Sequence, residues 1–258
     1  MPGINWGDDG SKPFAVDSSE VDGSQLAVRN PKPDVSQIML GGASIGCLFK
    51  EVKPDQAKEC VDRAVEAGIR YVDTAPWYGA GLSESRLGEY LEGKPEVLIS
   101  TKCGRIVVPK EELTKTVGHL QYECSNSEKD YEGHFFTDNY HMNRVCWTYT
   151  GDGIRESVRQ SCERLRRDTI HCLRLHDAEN TERFAAATAP GGAVDAMIKL
   201  KAEGTVKELS LGMNNAEYIL ALLRKCPRHR LPPFSSRAQN LLTIFAWRQT
   251  RGRLTISC

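Results

Sequence analysis

From residue 35 onward the apolar residues fall into two alternating rhythms. The short runs QIML (37–40), IRYVD (69–73), EVLISTK (96–102), TIHCLRL (169–175) and VKELSLG (206–212) are compact and rich in β-branched or aromatic residues, which predicts buried strands. Between them the apolar positions return every three to four residues. In 54–67 they are Ala57, Cys60, Val61, Ala64 and Val65, a helix with Pro54 at its start and Gly68 past its end. Helices are likewise predicted over 83–91 with Ser83 as cap, over 153–165 with Asp152 as cap, over 193–204 ending at Gly204, and over 215–226. Strands and helices alternate with no hairpin signal between them, which predicts parallel βα units. The expected fold class is α/β, of the (β/α)8 TIM-barrel type but incomplete. Five units are legible and a sixth starts near Leu231.

Three stretches break the rhythm. Residues 1–34, rich in Gly, Pro, Asp and Ser, read as a mobile extension ahead of a partial barrel over 35–258. A long polar segment fills 103–151, and its Tyr131, His134, Phe135, Phe136, Tyr140 and His141 suggest either a lid or a surface insertion. From about residue 227 the text turns atypical, with one apolar patch at 241–247. A closed barrel needs eight strands, so the expectation is a chain truncated at its C-terminal side.

Composition narrows the function. Lys and Arg number 34 against 34 Asp and Glu, a balance that offers neither nucleic acid nor an anionic membrane a basic surface. Nine Cys without a CxxC pair and six scattered His match no metal-site spacing, so no metal is expected and the thiols read as reduced. With no signal-like N-terminus and no apolar run long enough to span a bilayer, the reading is a cytoplasmic protein. Oligomeric state is open.

In a barrel of this type chemistry gathers where strands end. Those positions hold Asp73, Tyr78 five residues on, Lys102 and His176. An ammonium at Lys102 favours ionisation of a neighbouring phenol, Asp73 orients that lysine, and His176 bonds the phenol or a substrate oxygen, leaving Tyr78 as general acid or base. Singly, each has a plain alternative: a turn former, a rim aromatic, a strand-end charge, a loop histidine. GGASIG (41–46) lacks phosphate-loop spacing and reads as a turn. Glu84 reads as a first-turn complement to the helix dipole, Cys103 as a packed thiol or a reactive one, and Arg174 as a charge out of place in an apolar strand.

The stretches GIRYVDTAPWYGAGLSESRLGEYL (68–91), STKCGR (100–105), LRLHDAEN (173–180) and SLGMNN (210–215) resemble the aldo-keto reductases. Together with TGDGIRESVRQSCERL they are similar to the sugar-oxidising branch, the D-threo-aldose, L-galactose and D-arabinose 1-dehydrogenases. The resemblance spans about residues 35–226 and implies the catalytic tetrad Asp73, Tyr78, Lys102 and His176, with Asn214 holding the carboxamide of NADP or NAD. It implies hydride transfer between the nicotinamide and an aldose C1 or a small aldehyde. Nothing after residue 226 resembles the family loops that clamp the rest of the cofactor. The alternative is therefore a catalytically dead truncated remnant, or an interaction module unable to bind cofactor.

Overall fold

The computed structural model describes residues 38–109, 111, 123–124 and 143–225. Expectations for the extension, the loop aromatics and histidines, and the tail lie outside these residues.

In chain order the elements are β1 (Leu40–Gly41), α1 (Pro54–Glu66), β2 (Tyr71–Asp73), α2 (Leu82–Tyr90) and β3 (Leu98–Cys103). Next come β4 (Arg105–Pro109), β5 (Glu123–Cys124), β6 (Asn143–Trp147), α3 (Gly151–Leu165) and β7 (Ile170–His176). The described chain ends with α4 (Thr181–Thr188), α5 (Ala193–Ala202), β8 (Val206–Gly212) and α6 (Ala216–Lys225). One sheet has the order β1-β2-β3-β7-β8 with every pair parallel. It is an arc of a (β/α)8 barrel, and among the described residues the barrel does not close. Among those same residues no helix is long and apolar enough to cross a membrane.

The helices pack on the sheet because their apolar stripes meet its outer face. Val61 of α1, Leu87 of α2, Ile154 and Val158 of α3 and Leu200 of α5 are buried with Val72, Ile99, Leu173 and Leu209 of the strands in one core. Each such side chain withdrawn from water contributes about 1.5–3 kcal/mol before entropy is counted. The approach of α2 to α3 is close enough to require a glycine. A Cβ on Gly88 would lie 2.2 Å from the Arg164 carbonyl oxygen and 2.8 Å from the Leu165 carbonyl carbon.

Several expectations are corrected. The segment 103–151 is not simply polar loop, because β4, β6 and β5 form a separate antiparallel sheet in that order. Its β4 and β6 are far apart in sequence, so no turn motif announces their pairing. Ser83 does not cap α2: the cap position is Gly81 with φ +90°, and the Ser83 hydroxyl donates to the Gly42 carbonyl at 2.7 Å and accepts from Thr74 at 2.8 Å. Helix α3 is capped by Thr150, whose Oγ1 accepts from the Gly153 amide at 3.1 Å, and Asp152 sits inside the first turn. Helix α4 occupies what read as loop, started by Asn180 accepting from the Arg183 amide. Glu84 lies in the first turn of α2, as expected, and is wholly buried there, accepting from Thr101 at 2.6 Å and paired with Arg164 at 2.7 Å. Cys146 is disulfide-bonded, against the expectation of reduced thiols, while Cys47, Cys60, Cys103, Cys162 and Cys172 are free.

The tight seam between α2 and α3 generates a stability prediction. Gly88→Ala is expected to destabilise the protein by roughly 1–3 kcal/mol through overpacking against helix backbone, seen as a lower urea midpoint at unchanged slope.

Candidate active site

The inward face of the parallel sheet carries a stack of polar side chains where an apolar barrel interior would be expected. Alternation along β3 turns Ser100 and Lys102 to one face, and alternation along β7 turns Cys172, Arg174 and His176 the same way. Register then sets Lys102 beside Arg174, Arg174 beside Ser210, and His176 beside Gly212. Space is left for these side chains at Gly212, where a Cβ would stand 3.4 Å from Lys102 Cδ and 3.5 Å from Arg174 Cβ.

Asp73 ends β2 and is buried at the centre of this stack. Its Oδ2 accepts from Lys102 Nζ at 2.6 Å, and its Oδ1 accepts from Ser100 at 2.5 Å and from Arg174 Nε at 3.0 Å. Burial alone would raise the Asp73 carboxyl, but the Lys102 and Arg174 cations outweigh it and hold the group below the usual carboxylate range. Burial would likewise discharge Lys102; Asp73, with a smaller contribution from Tyr78, outweighs that and raises it instead. Lys102 Nζ also donates to the Thr74 carbonyl at 2.7 Å and lies 4.7 Å from the centre of the Tyr78 ring. Arg174, out of place by pattern, is thus the second cation on Asp73, and its Nη1 donates to Ser210 at 3.0 Å.

Tyr78 reaches this position on a turn braced by the glycine-rich loop after β1. The Gly42 amide donates to the Asp73 carbonyl at 2.7 Å. A Cβ on Gly46 would stand 2.5 Å from the Tyr78 carbonyl oxygen, and one on Gly79, at φ +68°, 2.2 Å from that of Gly46. The GGASIG loop is therefore a turn, as its spacing indicates, and the missing side chain at Gly46 lets two backbones touch behind Tyr78.

His176 ends β7 and is buried. Its Nδ1 lies 2.5 Å from Nη1 of Arg105, whose Nη2 donates to Asp177 Oδ2 at 2.7 Å. The Tyr149 hydroxyl donates to the His176 carbonyl at 2.6 Å, and the Arg105 guanidinium lies 3.5 Å above the Trp147 ring. Burial pushes His176 well below its ordinary value; the Asp177 carboxylate opposes this, and the Arg105 and Lys102 cations add to it. The ring is neutral, so its 3.4 Å approach to Asp177 through Nε2 is not an ion pair. Asn214 is exposed just past β8, with its Nδ2 3.4 Å from Asp177 Oδ1. Its backbone amide and that of Asn215 donate to Glu179, the second at 2.9 Å.

The structure thus brings Asp73, Lys102, Tyr78 and His176 to one rim and sets Asn214 beside the Asp177 that adjoins His176. Sequence reading missed Arg105, Asp177, Ser100 and Ser210 as members of the site. Arg105 sits inside the motif STKCGR, but its partners come from β6 and β7, which only the folded chain brings near. Cys103 is buried, donates to the Arg174 carbonyl at 3.5 Å and is pushed far up by burial, so it is an inert thiol. Among the described residues no cluster of His, Cys, Asp or Glu could hold a metal ion.

The buried neutral imidazole makes stability depend on pH. In the unfolded chain His176 takes up a proton near 6.5, whereas in the folded chain burial holds the ring well below that. Its contribution is fully present above pH 6.5 and is lost as pH falls below that value, with a slope of at most about 1.4 kcal/mol per pH unit. Asp73 and Asp177, both lowered, begin to act only below 3.8. Urea unfolding across this range is expected to show a steeper loss toward acid in the wild type than in His176→Asn.

The Aldo/keto reductase family profile matches residues 37–256. A D-threo-aldose 1-dehydrogenase of a Pseudomonas species is 38% identical over 187 residues, 72% of this chain and 52% of that protein. A pyridoxal 4-dehydrogenase of Microbacterium luteolum is 32% identical over 72% of this chain and 54% of its own length. The chain spans about half the length of the curated relatives it matches. Among solved structures, a glycerol dehydrogenase of Gluconobacter oxydans superposes with a TM-score of 0.52 at 22% identity, over 80% of this chain and 52% of that one, which supports the fold. The motif resemblance to the sugar-oxidising branch is matched by the aldose dehydrogenase above. From the profile match and these relatives, the chain belongs to the aldo/keto reductase family.

Proposed function

We propose that the protein is an NAD(P)-dependent oxidoreductase acting between an alcohol and a carbonyl, with an aldose at C1 or a small aldehyde as substrate. The observation that carries this is Lys102, bonded at once to a buried carboxylate and placed against the ring of Tyr78, on the rim that also holds His176. The D-threo-aldose 1-dehydrogenase relative supports an aldose, and the even charge balance supports a small neutral substrate.

Asp73, kept ionised by two cations, holds Lys102 charged and aimed. Lys102 in turn favours negative charge on the Tyr78 oxygen, so Tyr78 takes the proton from a substrate hydroxyl in oxidation and returns it to the carbonyl oxygen in reduction. His176 contributes a neutral hydrogen-bond donor to that oxygen, steadying the charge that develops there. Arg174, bonded to Asp73 and to Ser210, holds the carboxylate from its second oxygen.

The residues present fit a nicotinamide. Asn214 is exposed on the rim beside Asp177, and a side-chain amide can both donate to and accept from a carboxamide. Such a cofactor supplies the hydride acceptor or donor, for which these side chains have no substitute.

Tyr78→Phe tests the reading, because it removes the proton carrier and keeps the ring. Turnover of aldoses or aldehydes with NAD or NADP, followed by nicotinamide absorbance, is expected to fall by about 10²–10⁴ with circular dichroism unchanged. Equal rates with and without the hydroxyl would sink the proposal.

A further inference from the structure

We propose that Arg105 is a positioning residue that fixes His176 as a hydrogen-bond donor, holding the imidazole in its neutral form with the proton on Nε2. Arg105 opens β4, lies outside the parallel sheet and is buried. A guanidinium has donors and no acceptor, so across the 2.5 Å contact its Nη1 donates and Nδ1 of His176 accepts. An imidazole whose Nδ1 accepts carries its hydrogen on Nε2. Both other forms, the Nδ1–H tautomer and the doubly protonated ring, would face the Arg105 N–H with a second hydrogen. One contact therefore selects one of three states.

Arg105 is held so that it cannot swing aside. Nη2 is tied to Asp177 at 2.7 Å, and the guanidinium plane rests 3.5 Å from the Trp147 ring, which Arg183 covers at 3.6 Å. The ring of His176 is fixed from its backbone as well, through the Tyr149 hydroxyl. The charged groups that act on it are Arg105 from β4, Lys102 from β3, Asp73 from β2 and Asp177 from the turn after β7. Nε2 lies 3.4 Å from Asp177 Oδ2, so the ring stands between the guanidinium and that carboxylate. The reason a donor matters here rests on the oxidoreductase reading, in which Nε2–H meets the substrate oxygen; the tautomer itself does not.

The full chain labelled with ¹⁵N-histidine gives the test, since long-range proton–nitrogen spectra separate a bare ring nitrogen from a protonated one. The His176 signals are those absent from His176→Asn. In the wild type Nδ1 is expected bare and Nε2 protonated, with no change as pH falls through the ordinary imidazole range. In Arg105→Met the second tautomer is expected to appear and the ring to take up a proton nearer its ordinary value of about 6.5. Arg105→Lys, which keeps a donor and the charge, restores the Nε2–H form. A wild-type ring protonated on Nδ1, or an Arg105→Met ring identical to wild type, overturns the proposal. If Arg105→Met does not fold, the wild-type and Arg105→Lys spectra decide alone. Where turnover is measurable, Arg105→Met is expected to lose about tenfold or more through kcat, as misplacement of a contacting group does, and Arg105→Lys to recover part of it. A Tyr78→Phe protein that stays active removes the oxidoreductase reading and leaves the spectra standing. An unchanged ring in Arg105→Met, with Tyr78 essential, removes only the role of Arg105.

Discussion

The carboxylate of Asp73, buried and held between two cations, is the interaction on which the polar interior depends. A lone buried carboxylate would protonate or pull in water. Here Lys102, Arg174 and Ser100 satisfy both oxygens, and they arrive from two strands: β3 supplies Lys102 and Ser100, β7 supplies Arg174. The cluster can therefore form only when β2, β3 and β7 are in register. Its penalty for misregistration is severe, because slipping one strand would strand a charge in the interior. The same bonds that make the site also specify the sheet.

Around this centre the site is layered by chain order rather than by distance along the chain. The rim turn bearing Tyr78 leans on the glycine loop after β1, so the earliest strand supports the tyrosine. The opposite flank is supplied by the antiparallel sheet and the turn after β7, which hold His176 through Arg105, Asp177 and Tyr149. Asn214 comes from the end of β8 and joins through Asp177. Tyr78 and His176 are thus steadied by separate parts of the chain, with Lys102 close to both.

How much of this could be read from sequence follows from the range of the interactions. Asp73, Lys102 and His176 are legible as a group because each lies at the end of a strand or one residue before it, and strand ends are set by local periodicity. The parallel strands were legible for the same reason. Arg174 looked like an intrusion because its justification lies across the sheet at Asp73 and Ser210. The cap of α3 was misplaced by two residues because Thr150 and Asp152 are both good caps and only backbone geometry chooses Thr150. The antiparallel sheet left no local mark, since Arg105 and Trp147 face each other across a long stretch of chain. The first-turn place of Glu84 is legible, but its burial is not, because its partner Arg164 lies on another helix.

The way that sheet joins the barrel arc bears on how the protein can change over generations. Its two ends are clasped at the same spot: Arg105 pairs with Trp147 in register, and the Thr148 amide donates to the Gly104 carbonyl at 3.0 Å. Where the chain leaves β3 and where it comes back toward α3 are thereby held side by side. Lengthening an insertion between them costs little, about 0.6 kcal/mol for each doubling of a flexible loop, and shifts neither β3 nor α3. The segment between is free to diverge in size and surface while Arg105 and Trp147 stay at their posts, which makes it the natural place for this fold to acquire new specificity.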